Sequence, residues 1–530
     1  MYKYLLLLVS LLTITISASA QRNVILIIAD DLGADYCGFY ENHLDTVNMP
    51  NVRALAERGV RFTNAWSNPL CSPTRAGILT GRYSFRTGVG NAVGGADSPV
   101  LDKNELTIPI LLKAFKKNDI ATANIGKWHL QLATPKSNLT LPNTMGYDHY
   151  EGNFLGALTS YTDWNKVTNG VAANCTTYAT TETVNNAVTW IAANRAKPYF
   201  LWLAFNAPHT PFHLPPKSLH SYQTLSGTEA DIAANPKLYF KAAAEAMDHE
   251  IGRLFDSLKA FGDWENTDVI FIGDNGDDAN VAQTKGGAKG SIYQDGISVP
   301  FIIAGPSIIT PNRVSDALVN TQDLFGTILE IFGDTAWAGR IPIPIKVDSK
   351  SLVPILKNQA TSVRDWTFSE VFKIPTVAGD GKTMRNKDYK LLDFDNGTQK
   401  FYHLTADPNE SNDLLKSALT AEQQSNYTYL CNQMSALVGS GRFCDIASGV
   451  DEGSQSSDGQ DNSTPNPFTS QIRPPRMQEN TRSVLTNAAG QVVFDGLHIE
   501  RHDFSSLTPG MYLLQCTAGT TVDTYKLLKK

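Results

Sequence analysis

Polar residues directly follow several short apolar runs of this 530-residue sequence. The runs are VILIIA (24–29), ATANI (121–125), YFLWLAF (199–205) and VIFI (269–272). Each residue that follows could simply cap a helix or lie in a solvated turn, but together they indicate one polar cluster. Three carboxylates and an amide carbonyl among them form an all-oxygen ligand set that suits Ca²⁺ or Mg²⁺. The residues concerned are Asp30, Asp31, Lys127, His129, His209, Asp274 and Asn275.

A second chemical feature is the segment CSPTRAGILTGR, which begins at Cys71 and contains Arg75. By composition alone, Cys71 is one cysteine among six, and a disulfide or a buried thiol would explain it. The segment resembles the signature of type I, formylglycine-dependent sulfatases, in which C-x-P-x-R marks a cysteine for oxidation to formylglycine. The other motifs of that family follow in its order: ADD after the first strand, GKWH, PH, GDNG, and the lysine of AKGSIYQDG. The resemblance covers roughly residues 22 to 410.

The resemblance implies a role for each matching residue. Asp30, Asp31, Asp274 and Asn275 would hold a divalent cation, usually Ca²⁺ in this family, with Mg²⁺ as the alternative. Cys71, converted to formylglycine and hydrated, would supply the nucleophilic hydroxyl and a further metal ligand. Arg75 would hold the hydrate, and Lys127 and Lys289 would bind sulfate oxygens. His129 would serve the second hydroxyl of the hydrate, and His209 would face the leaving oxygen.

This set of groups is chemically coherent. A sulfate ester is anionic, so a cation and two lysines must neutralise the charge that develops on the sulfuryl oxygens. A geminal diol can attack sulfur with one hydroxyl and then use the other to eliminate sulfate and restore the aldehyde. A serine has no second hydroxyl and would remain a stable sulfate ester.

Two departures from the family pattern concern specificity. GDNG is followed by Asp277–Asp278, and the sequence reads YQDG (293–296) where relatives often have YEGG. We expect these neighbours to shape the substrate pocket. Further candidates for that pocket, for each of which ordinary packing is an equal alternative, are Tyr83, Phe85, Trp164, His213 and Arg385.

Strands alternating with helices must position these residues. A continuous apolar run such as 24–29 is typical of a strand buried on both faces, and helices are predicted at 51–58, 108–117, 183–194 and 236–261. This alternation favours a mostly parallel sheet covered by helices on both faces. Ligands bind outside the carboxyl ends of such strands, which is where the polar residues lie. The predicted fold class is therefore α/β, of the alkaline-phosphatase-like type that the resemblance implies.

Composition excludes several classes of protein. Lys and Arg number 45 and Asp and Glu 52, a net charge of −7, so no broad basic field exists for nucleic acid. Residues 1–20 have a lysine, an apolar stretch and Ala18-Ser19-Ala20, which predicts a cleaved signal peptide and export. No later segment is long and apolar enough to predict a transmembrane helix. Export permits disulfides, and Cys431 with Cys444 is the predicted pair.

The chain is predicted to contain a signal peptide (1–20), a catalytic domain (21–350), a smaller α+β subdomain (351–447), a polar linker (448–479) and a β-sandwich tail (480–530). The tail segments VLTNAAGQVVF, FSSLTPGMYLLQC and YKLLKK resemble the C-terminal sorting domain of the type IX secretion system. An ordinary β-sandwich module is the alternative. The resemblance implies an extracellular or cell-surface location.

The hypothesis is thus an exported sulfatase that acts on sulfated glycans, with a formylglycine-generating enzyme and the type IX secretion machinery as partners. One alternative is a phosphodiesterase or phosphonate monoester hydrolase of the same superfamily, which can use the same aldehyde. Another is a catalytically silent glycan-binding protein in which Cys71 stays unmodified.

Overall fold

The computed structural model describes residues 22–40, 45–94, 99–116, 119–283, 288–373, 377, 379–439, 468, 472, 481–487, 491–518 and 521–529. The predicted signal peptide and almost all of the predicted linker lie outside these residues, as does Cys444. The chain divides into two compact units, Met1–Ala418 and Leu419–Lys530. The predicted domain boundaries within and between these units stay predictions.

The described strands are β1 (Asn23–Asp30), β2 (Gly59–Trp66), β3 (Ala121–Gly126), β4 (His149–Gly152), β5 (Trp164–Thr168), β6 (Val171–Cys175), β7 (Tyr199–Pro208), β8 (Thr267–Gly273), β9 (Phe301–Ala304), β10 (Arg313–Asn320), β11 (Thr367–Val371), β12 (Gly381–Arg385), β13 (Tyr389–Phe394), β14 (Gln399–His403), β15 (Arg482–Asn487), β16 (Val492–Leu497), β17 (Gly510–Ala518) and β18 (Thr521–Lys529).

The described α-helices are α1 (Pro50–Glu57), α2 (Cys71–Thr80), α3 (Ser84–Thr87), α4 (Ile108–Lys116), α5 (Leu141–Thr144), α6 (Ala179–Asn194), α7 (Glu229–Ala234), α8 (Pro236–Phe261), α9 (Gln294–Ile297), α10 (Leu324–Ile331), α11 (Val353–Leu356) and α12 (Ala421–Val438). Helix α8 begins with Pro236 at its first position and ends at Gly262, whose φ of 77° is left-handed. Both features follow the usual preference for proline at helix starts and glycine at helix ends.

A large sheet with the strand order β10-β2-β9-β8-β1-β7-β3-β4-β5-β6 organises the first unit. Strand β1 pairs in parallel with β7 and β8, and β3 pairs in parallel with β4 and β7. Strands β9 and β5 run against their neighbours. The α/β fold with a mostly parallel sheet is confirmed.

Two apolar cores cover the two faces of this sheet. Along β1, Ile25 and Ile27 belong to one core, whereas Leu26 and Ile28 belong to the other. The first core includes apolar residues of α1, α6 and α8, and the second includes residues of α2, α4 and α10. Burial of one large aliphatic side chain stabilises a fold by about 1.5–3 kcal/mol, so the sheet is a rigid support for its strand ends.

Smaller antiparallel sheets complete the two units. The sheet β11-β12-β13-β14 belongs to the first unit. The second unit contains α12 and the sheet β16-β15-β17-β18. A sandwich requires two packed sheets, and the described part of the tail forms one. Cys431 in α12 is in a disulfide, while Cys37, Cys71 and Cys175 carry free thiols.

Candidate active site

The carboxyl ends of β1 and β8 bring four predicted metal ligands together. The two strands pair in parallel up to Ala29 and Gly273, so the residues after each strand meet at one edge of the sheet. The backbone N–H of Asp31 donates to Oδ1 of Asp274 at 3.2 Å, and Nδ2 of Asn275 donates to Oδ1 of Asp31 at 2.7 Å. The predicted convergence of these two strand ends is therefore present in the structure.

Backbone geometry at the end of β1 is unusual. Asp31 has a φ of 62°, in the left-handed region that residues other than glycine seldom adopt. Such a conformation costs about 1–3 kcal/mol and is concentrated at functional sites. Aspartate tolerates it better than most residues, and here it directs two consecutive carboxylates, Asp30 and Asp31, into the same buried cluster.

The cluster has the composition of a cation site. Ligand atoms of Asp30, Asp31 and His209 lie within 4.8 Å of one another, as do those of Asp30, Cys71 and Asp274. Two buried oxygens, Oδ1 of Asp30 and Oδ1 of Asn275, have no hydrogen-bond partner among the described residues. A buried acceptor without a partner costs about 1–3 kcal/mol, and a hard divalent cation would satisfy both oxygens. The residues present fit such an ion.

Three cationic side chains neutralise the carboxylates. Nζ of Lys127 lies 2.5 Å from Oδ2 of Asp30. Nζ of Lys289 lies 2.6 Å from Oδ1 of Asp31. Nη2 of Arg75 lies 2.8 Å from Oδ2 of Asp274. These pairs place the predicted sulfate-binding lysines beside the predicted metal ligands, so positive and negative charges alternate through the cluster.

The charges of the cluster shift the pKa values of its carboxyl groups in opposite directions. Burial raises the pKa of Asp30 to about 7, with Lys127 acting against it. For Asp31, burial also raises the pKa, but the charges of Lys289, His209 and Lys127 outweigh it and lower the value to about 2. The pKa of Asp274 is lowered as well, because the positive charges of Arg75 and Lys127 outweigh the effect of its burial. Neighbouring groups with separated pKa values are typical of functional sites.

Cys71 is the first residue of α2, and its side chain is buried against His129. Its Sγ lies 3.2 Å from Nδ1 of His129, while Nε2 of that imidazole lies 2.6 Å from the carbonyl oxygen of Val93. A carbonyl only accepts, so Nε2 carries the proton and Nδ1 presents a lone pair to position 71. Burial, with Lys127 next in importance, lowers the pKa of His129 well below its usual value, which keeps the ring neutral.

The turn into α2 is held by its own hydrogen bonds. Oγ1 of Thr74 accepts from the backbone N–H of Asn68 at 3.0 Å. Oγ of Ser72 donates to the carbonyl oxygen of His129 at 2.8 Å and accepts from the N–H of Val93 at 3.0 Å. Ser72 therefore ties together the three segments that carry Cys71, Val93 and His129.

Strand β3 reaches the cluster through a close approach at Gly126. A Cβ at this position would lie 1.9 Å from the carbonyl oxygen of Ala204, and the φ of Gly126 is +102°. Only glycine fits both constraints. The next residue, Lys127, donates its backbone N–H to the same carbonyl of Ala204 at 2.8 Å, which fixes the lysine beside β7.

His209 follows β7 and faces Asp31. Its Nε2 lies 3.7 Å from Oδ2 of Asp31, and its Nδ1 lies 2.6 Å from the carbonyl oxygen of Thr210. The hydroxyl of Tyr161 lies 2.6 Å from the carbonyl oxygen of Asn206 and 2.7 Å from that of His209, so one proton is shared between two acceptors. Nothing in the sequence around Tyr161 predicted this role, because the contact joins a loop to a strand end 45 residues away.

Other predicted residues lie in places that the sequence did not suggest. Arg75 donates to Asp274 and, through Nη1, to the carbonyl oxygen of Lys127 at 3.0 Å; its predicted contact with a hydrate at position 71 stays a prediction. Asp277 is buried and accepts the N–H of Gly33 at 2.7 Å, so it supports the loop after β1.

Three of the candidate pocket residues make packing contacts with other side chains. Tyr83 packs edge-on against Phe368, and Trp164 belongs to the first apolar core. His213 stacks on Tyr161 with 3.7 Å between the ring centroids. These are contacts of the ordinary packing kind, and a role of the three residues in the substrate pocket stays a prediction.

Comparison with known proteins gives two family matches. The model of the family Sulfatase matches residues 22–334, more than half of the chain, and that of the family N-sulphoglucosamine sulphohydrolase, C-terminal, matches residues 288–437. The two matches overlap and together span the predicted catalytic domain and most of the predicted α+β subdomain.

Individual relatives agree with these families. Arylsulfatase J of Mus musculus is 25% identical over 69% of this chain, which spans 60% of that protein, and an ulvan-active sulfatase of Formosa agariphila is 26% identical over 74% of this chain and 77% of that protein. The crystal structure of Ps i-CgsB in complex with k-i-k-neocarrahexaose aligns with a TM-score of 0.65, at 24% identity over 79% of this chain and 93% of that one. This last likeness concerns the fold.

Proposed function

The chain belongs to the sulfatase family of sulfuric ester hydrolases, and we propose that it is an exported enzyme that removes sulfate from polysaccharides or oligosaccharides. We propose further that Cys71 is converted to formylglycine and that Asp30, Asp31, Asp274, Asn275 and the group at position 71 hold one Ca²⁺ or Mg²⁺. The observation that carries the proposal is the position of Cys71 within one cluster with Asp30, Asp274 and His129.

The divalent cation and the formylglycine would supply chemistry that the encoded side chains lack. A bound divalent cation stabilises negative charge on sulfuryl oxygens, and a hydrated formylglycine supplies a nucleophilic hydroxyl together with a second hydroxyl. The unpartnered Oδ1 atoms of Asp30 and Asn275 support the cation. The signature segment places a cysteine at position 71, so the proposal does not need a serine or threonine hydroxyl as the nucleophile there.

The side chains of the cluster would bind sulfate, orient it and move protons. Lys127, which is buried, and Lys289, which is partly buried, pair with Asp30 and Asp31 and can neutralise the sulfuryl oxygens. Nδ1 of His129 presents a lone pair that can take a proton from a hydroxyl at position 71. His209 holds the hydrogen of Nδ1 on the carbonyl oxygen of Thr210, so in its doubly protonated form it can give the proton of Nε2 to the departing oxygen. Arg75 orients Asp274.

The substrate class and the location rest on different observations. The relative named as active on ulvan supports a sulfated polysaccharide as the substrate. Residues 1–20 and the resemblance of the tail to a type IX sorting domain support export to the outer surface. No described helix has both the length and the apolar character that crossing a membrane requires.

A product assay tests the proposed function. The purified chain, co-expressed with a formylglycine-generating enzyme, is incubated with sulfated oligosaccharides and, separately, with phosphate diesters and phosphonate monoesters. We expect free sulfate from the first set, and no sulfate from Cys71→Ala. Release of phosphorus products at a higher kcat/KM than sulfate would assign the chain to the phosphodiesterase alternative instead.

A further inference from the structure

A cavity of about 580 Å³ lies within the first unit and contains none of the residues of the catalytic cluster, although Gln294 and Arg385, two candidates for the substrate pocket, line it. It is lined by residues of β2, β10 and β12 and of the loops beside them, among them Tyr40, Arg61, Asn64, Arg385, Lys387 and Asp388. Its floor is buried at Tyr40, Arg385 and Leu404, whereas Val314 at the other side is 52% exposed. The cavity therefore opens to solvent and is large enough for one or two sugar units.

An irregularity in the sheet lies beside this cavity. Strands β2 and β10 pair in parallel, but their register shifts between Ser315 and Leu318. The side chains of Thr63 and Asn64 donate to the carbonyl oxygens of Ser315 and Asp316, at 3.3 and 2.7 Å. Side chains of β2 thus satisfy carbonyls of the strand β10 where the register shifts, and two of these side chains line the cavity.

Arg61 is a cation without a matching anion in this cavity. Its Nε is buried and has no hydrogen-bond partner among the described residues. The nearest aromatic ring is that of Tyr40, whose centroid lies 5.8 Å from the guanidinium carbon. A buried N–H of an arginine that makes no hydrogen bond is costly, and a bound anion would remove that cost.

Arg385 is a second guanidinium whose described hydrogen-bond partners are neutral. It is 4% exposed, and it donates to the carbonyl oxygens of Asn386 at 2.9 Å and Lys387 at 2.6 Å and to Oδ1 of Asn64 at 3.2 Å. Burial lowers its pKa to about 10, against the charges of Asp388 and Glu410. The positive charge of Arg385 is therefore only partly balanced by its surroundings.

The rim of the cavity carries charges of both signs. Nζ of Lys387 pairs with Oδ2 of Asp316 at 3.0 Å, and Oδ1 of Asp388 accepts from Oγ1 of Thr405 at 2.8 Å. Among the lining residues the cations are Arg61, Arg385 and Lys387 and the carboxylate is Asp388, while Asp316 and Glu410 lie outside the lining. Gln294 uses its Oε1 to accept from Trp66 at 3.2 Å, which leaves Nε2 as a further donor.

We propose that this cavity, the Arg61–Arg385 cavity, is a second anion site that binds a sulfate group outside the catalytic cluster. Guanidinium groups bind tetrahedral oxyanions through pairs of N–H donors. Two arginines line this cavity, Arg385 buried and Arg61 partly buried, and neither forms an ion pair with a carboxylate among the described residues. The choice of sulfate rests on the proposed function. The sulfate group would belong either to a sulfated sugar of the substrate or to free sulfate, the product of the reaction.

Diffraction with selenate, a sulfate analogue that scatters anomalously, tests the cavity and the catalytic cluster separately. We expect an anomalous peak between Arg61 and Arg385 in soaked crystals of the full chain. A peak at the catalytic cluster alone would overturn the second site and leave the proposed function intact. A peak in the cavity alone would support the second site and count against the proposed function, and a peak in neither place would overturn the second site.

Three ligands identify the source of the sulfate group: inorganic sulfate, a sulfated carrageenan hexasaccharide, and the same hexasaccharide after chemical desulfation. Crystals of Cys71→Ala, which cannot turn the sugar over, are soaked in each. Sugar density with a sulfate on Arg61 identifies the glycan as the ligand, and sulfate density with no sugar identifies the free anion. Equal binding of the desulfated sugar would overturn the proposal, because it would show that the cavity does not recognise sulfate.

Variants test the residues by calorimetry. Arg61→Gln should weaken the binding of the ligand found in the cavity at least about ten-fold, and Lys387→Gln, a change at the exposed rim that leaves the fold intact, about three-fold. The matched control is Arg53→Gln on α1, whose guanidinium donates to the carbonyl oxygen of Gly38 outside the cavity. Turnover of nitrophenyl sulfate should stay unchanged in all three. Affinity that is unchanged in both cavity variants would contradict the proposal.

Discussion

Sγ of Cys71 lies 3.2 Å from Nδ1 of His129, and both side chains are almost completely buried, at 1% and 5% exposure. The imidazole is held by the carbonyl of Val93, so its lone pair is directed at position 71 whatever group stands there. The same burial that organises the proton acceptor closes the thiol to any large modifying enzyme. The proposed conversion of Cys71 to formylglycine would therefore precede folding.

The first prediction follows from this burial. In active protein, the peptide from Phe62 to Arg75 should have lost H₂S and gained one oxygen relative to the cysteine form, as measured by mass spectrometry. Folded protein purified with the cysteine intact should resist a formylglycine-generating enzyme, whereas the same chain should be converted when it is unfolded. Fully active protein in which Cys71 still reacts with an alkylating agent would rule out the proposed chemistry.

The second prediction concerns the cation. Elemental analysis should find about one Ca²⁺ or Mg²⁺ per chain, since the ligand oxygens are hard. Chelation should abolish activity, and Asp274→Ala should lose both the ion and the activity. The matched control for metal content is Asp278→Asn, in the same GDNGDD segment, which should keep the ion because its carboxylate accepts hydrogen bonds from Asn280. Stoichiometric zinc, or an active Asp274→Ala, would contradict the assignment.

The sequence predicted the residues of the cluster better than it predicted the neighbouring elements β2 and α2. Asp30, Lys127 and Asp274 follow buried apolar runs, and the carboxyl ends of parallel strands meet at one edge, so local pattern and topology were sufficient. Strand β2, at Gly59–Trp66, was not predicted, since its buried and exposed positions follow no regular alternation. Helix α2 was also missed, although proline is tolerated in the first turn of a helix.

Residues that act across the tertiary structure could not be found in the sequence at all. The contacts of Tyr161 with the carbonyls of Asn206 and His209, and of Arg75 with Asp274, join segments far apart in the chain. No local periodicity encodes such a contact. The family signature assigned a role to Arg75 but not its partner, and nothing assigned one to Tyr161.

The third prediction concerns stability at low pH. Glu151 contacts Nζ of Lys166 at 2.8 Å and Nε2 of His149 at 3.2 Å. Burial raises its pKa, but the hydrogen bonds and charges of those two residues outweigh it and lower the value to about 2. A carboxyl whose pKa is lowered by folding stabilises the fold above its unfolded pKa of about 4.5, and that contribution is lost as the pH falls towards 2.

Glu151→Gln should therefore reduce the free energy of unfolding by about 1–2 kcal/mol at pH 7, and by much less at pH 3. Urea denaturation at the two pH values measures the difference. The control is Glu57→Gln, on an exposed position of α1 with no ion pair among the described residues. An equal loss at both pH values would show that packing, and not the charge of Glu151, accounts for the effect.

The fourth prediction assigns a positioning role to Tyr161. Tyr161→Phe removes the proton that is shared between the carbonyls of Asn206 and His209. We expect kcat on a sugar sulfate to fall about ten-fold while KM changes little, because the turn that carries His209 becomes less fixed. Tyr178→Phe is the matched control, since its hydroxyl contacts Nε2 of His213 at 3.0 Å. A loss confined to stability, with kcat unchanged, would reduce Tyr161 to a packing role.

The last prediction separates proton donation by His209 from mere binding. Its Nδ1 is fixed on the carbonyl of Thr210, and its Nε2 is 3.7 Å from Asp31, beside the cluster in which sulfate would bind. General acid catalysis contributes about 10²–10⁴-fold and matters least for a leaving group that is already acidic. A sugar alkoxide is strongly basic, whereas a nitrophenolate departs without a proton. His209→Ala should therefore lose far more kcat on a sugar sulfate than on nitrophenyl sulfate. The exposed His249→Ala on α8 serves as the control, and formylglycine and metal content are measured in each variant. Equal losses of kcat on both substrates, with both groups intact, would show that His209 binds sulfate or orders its turn and donates no proton.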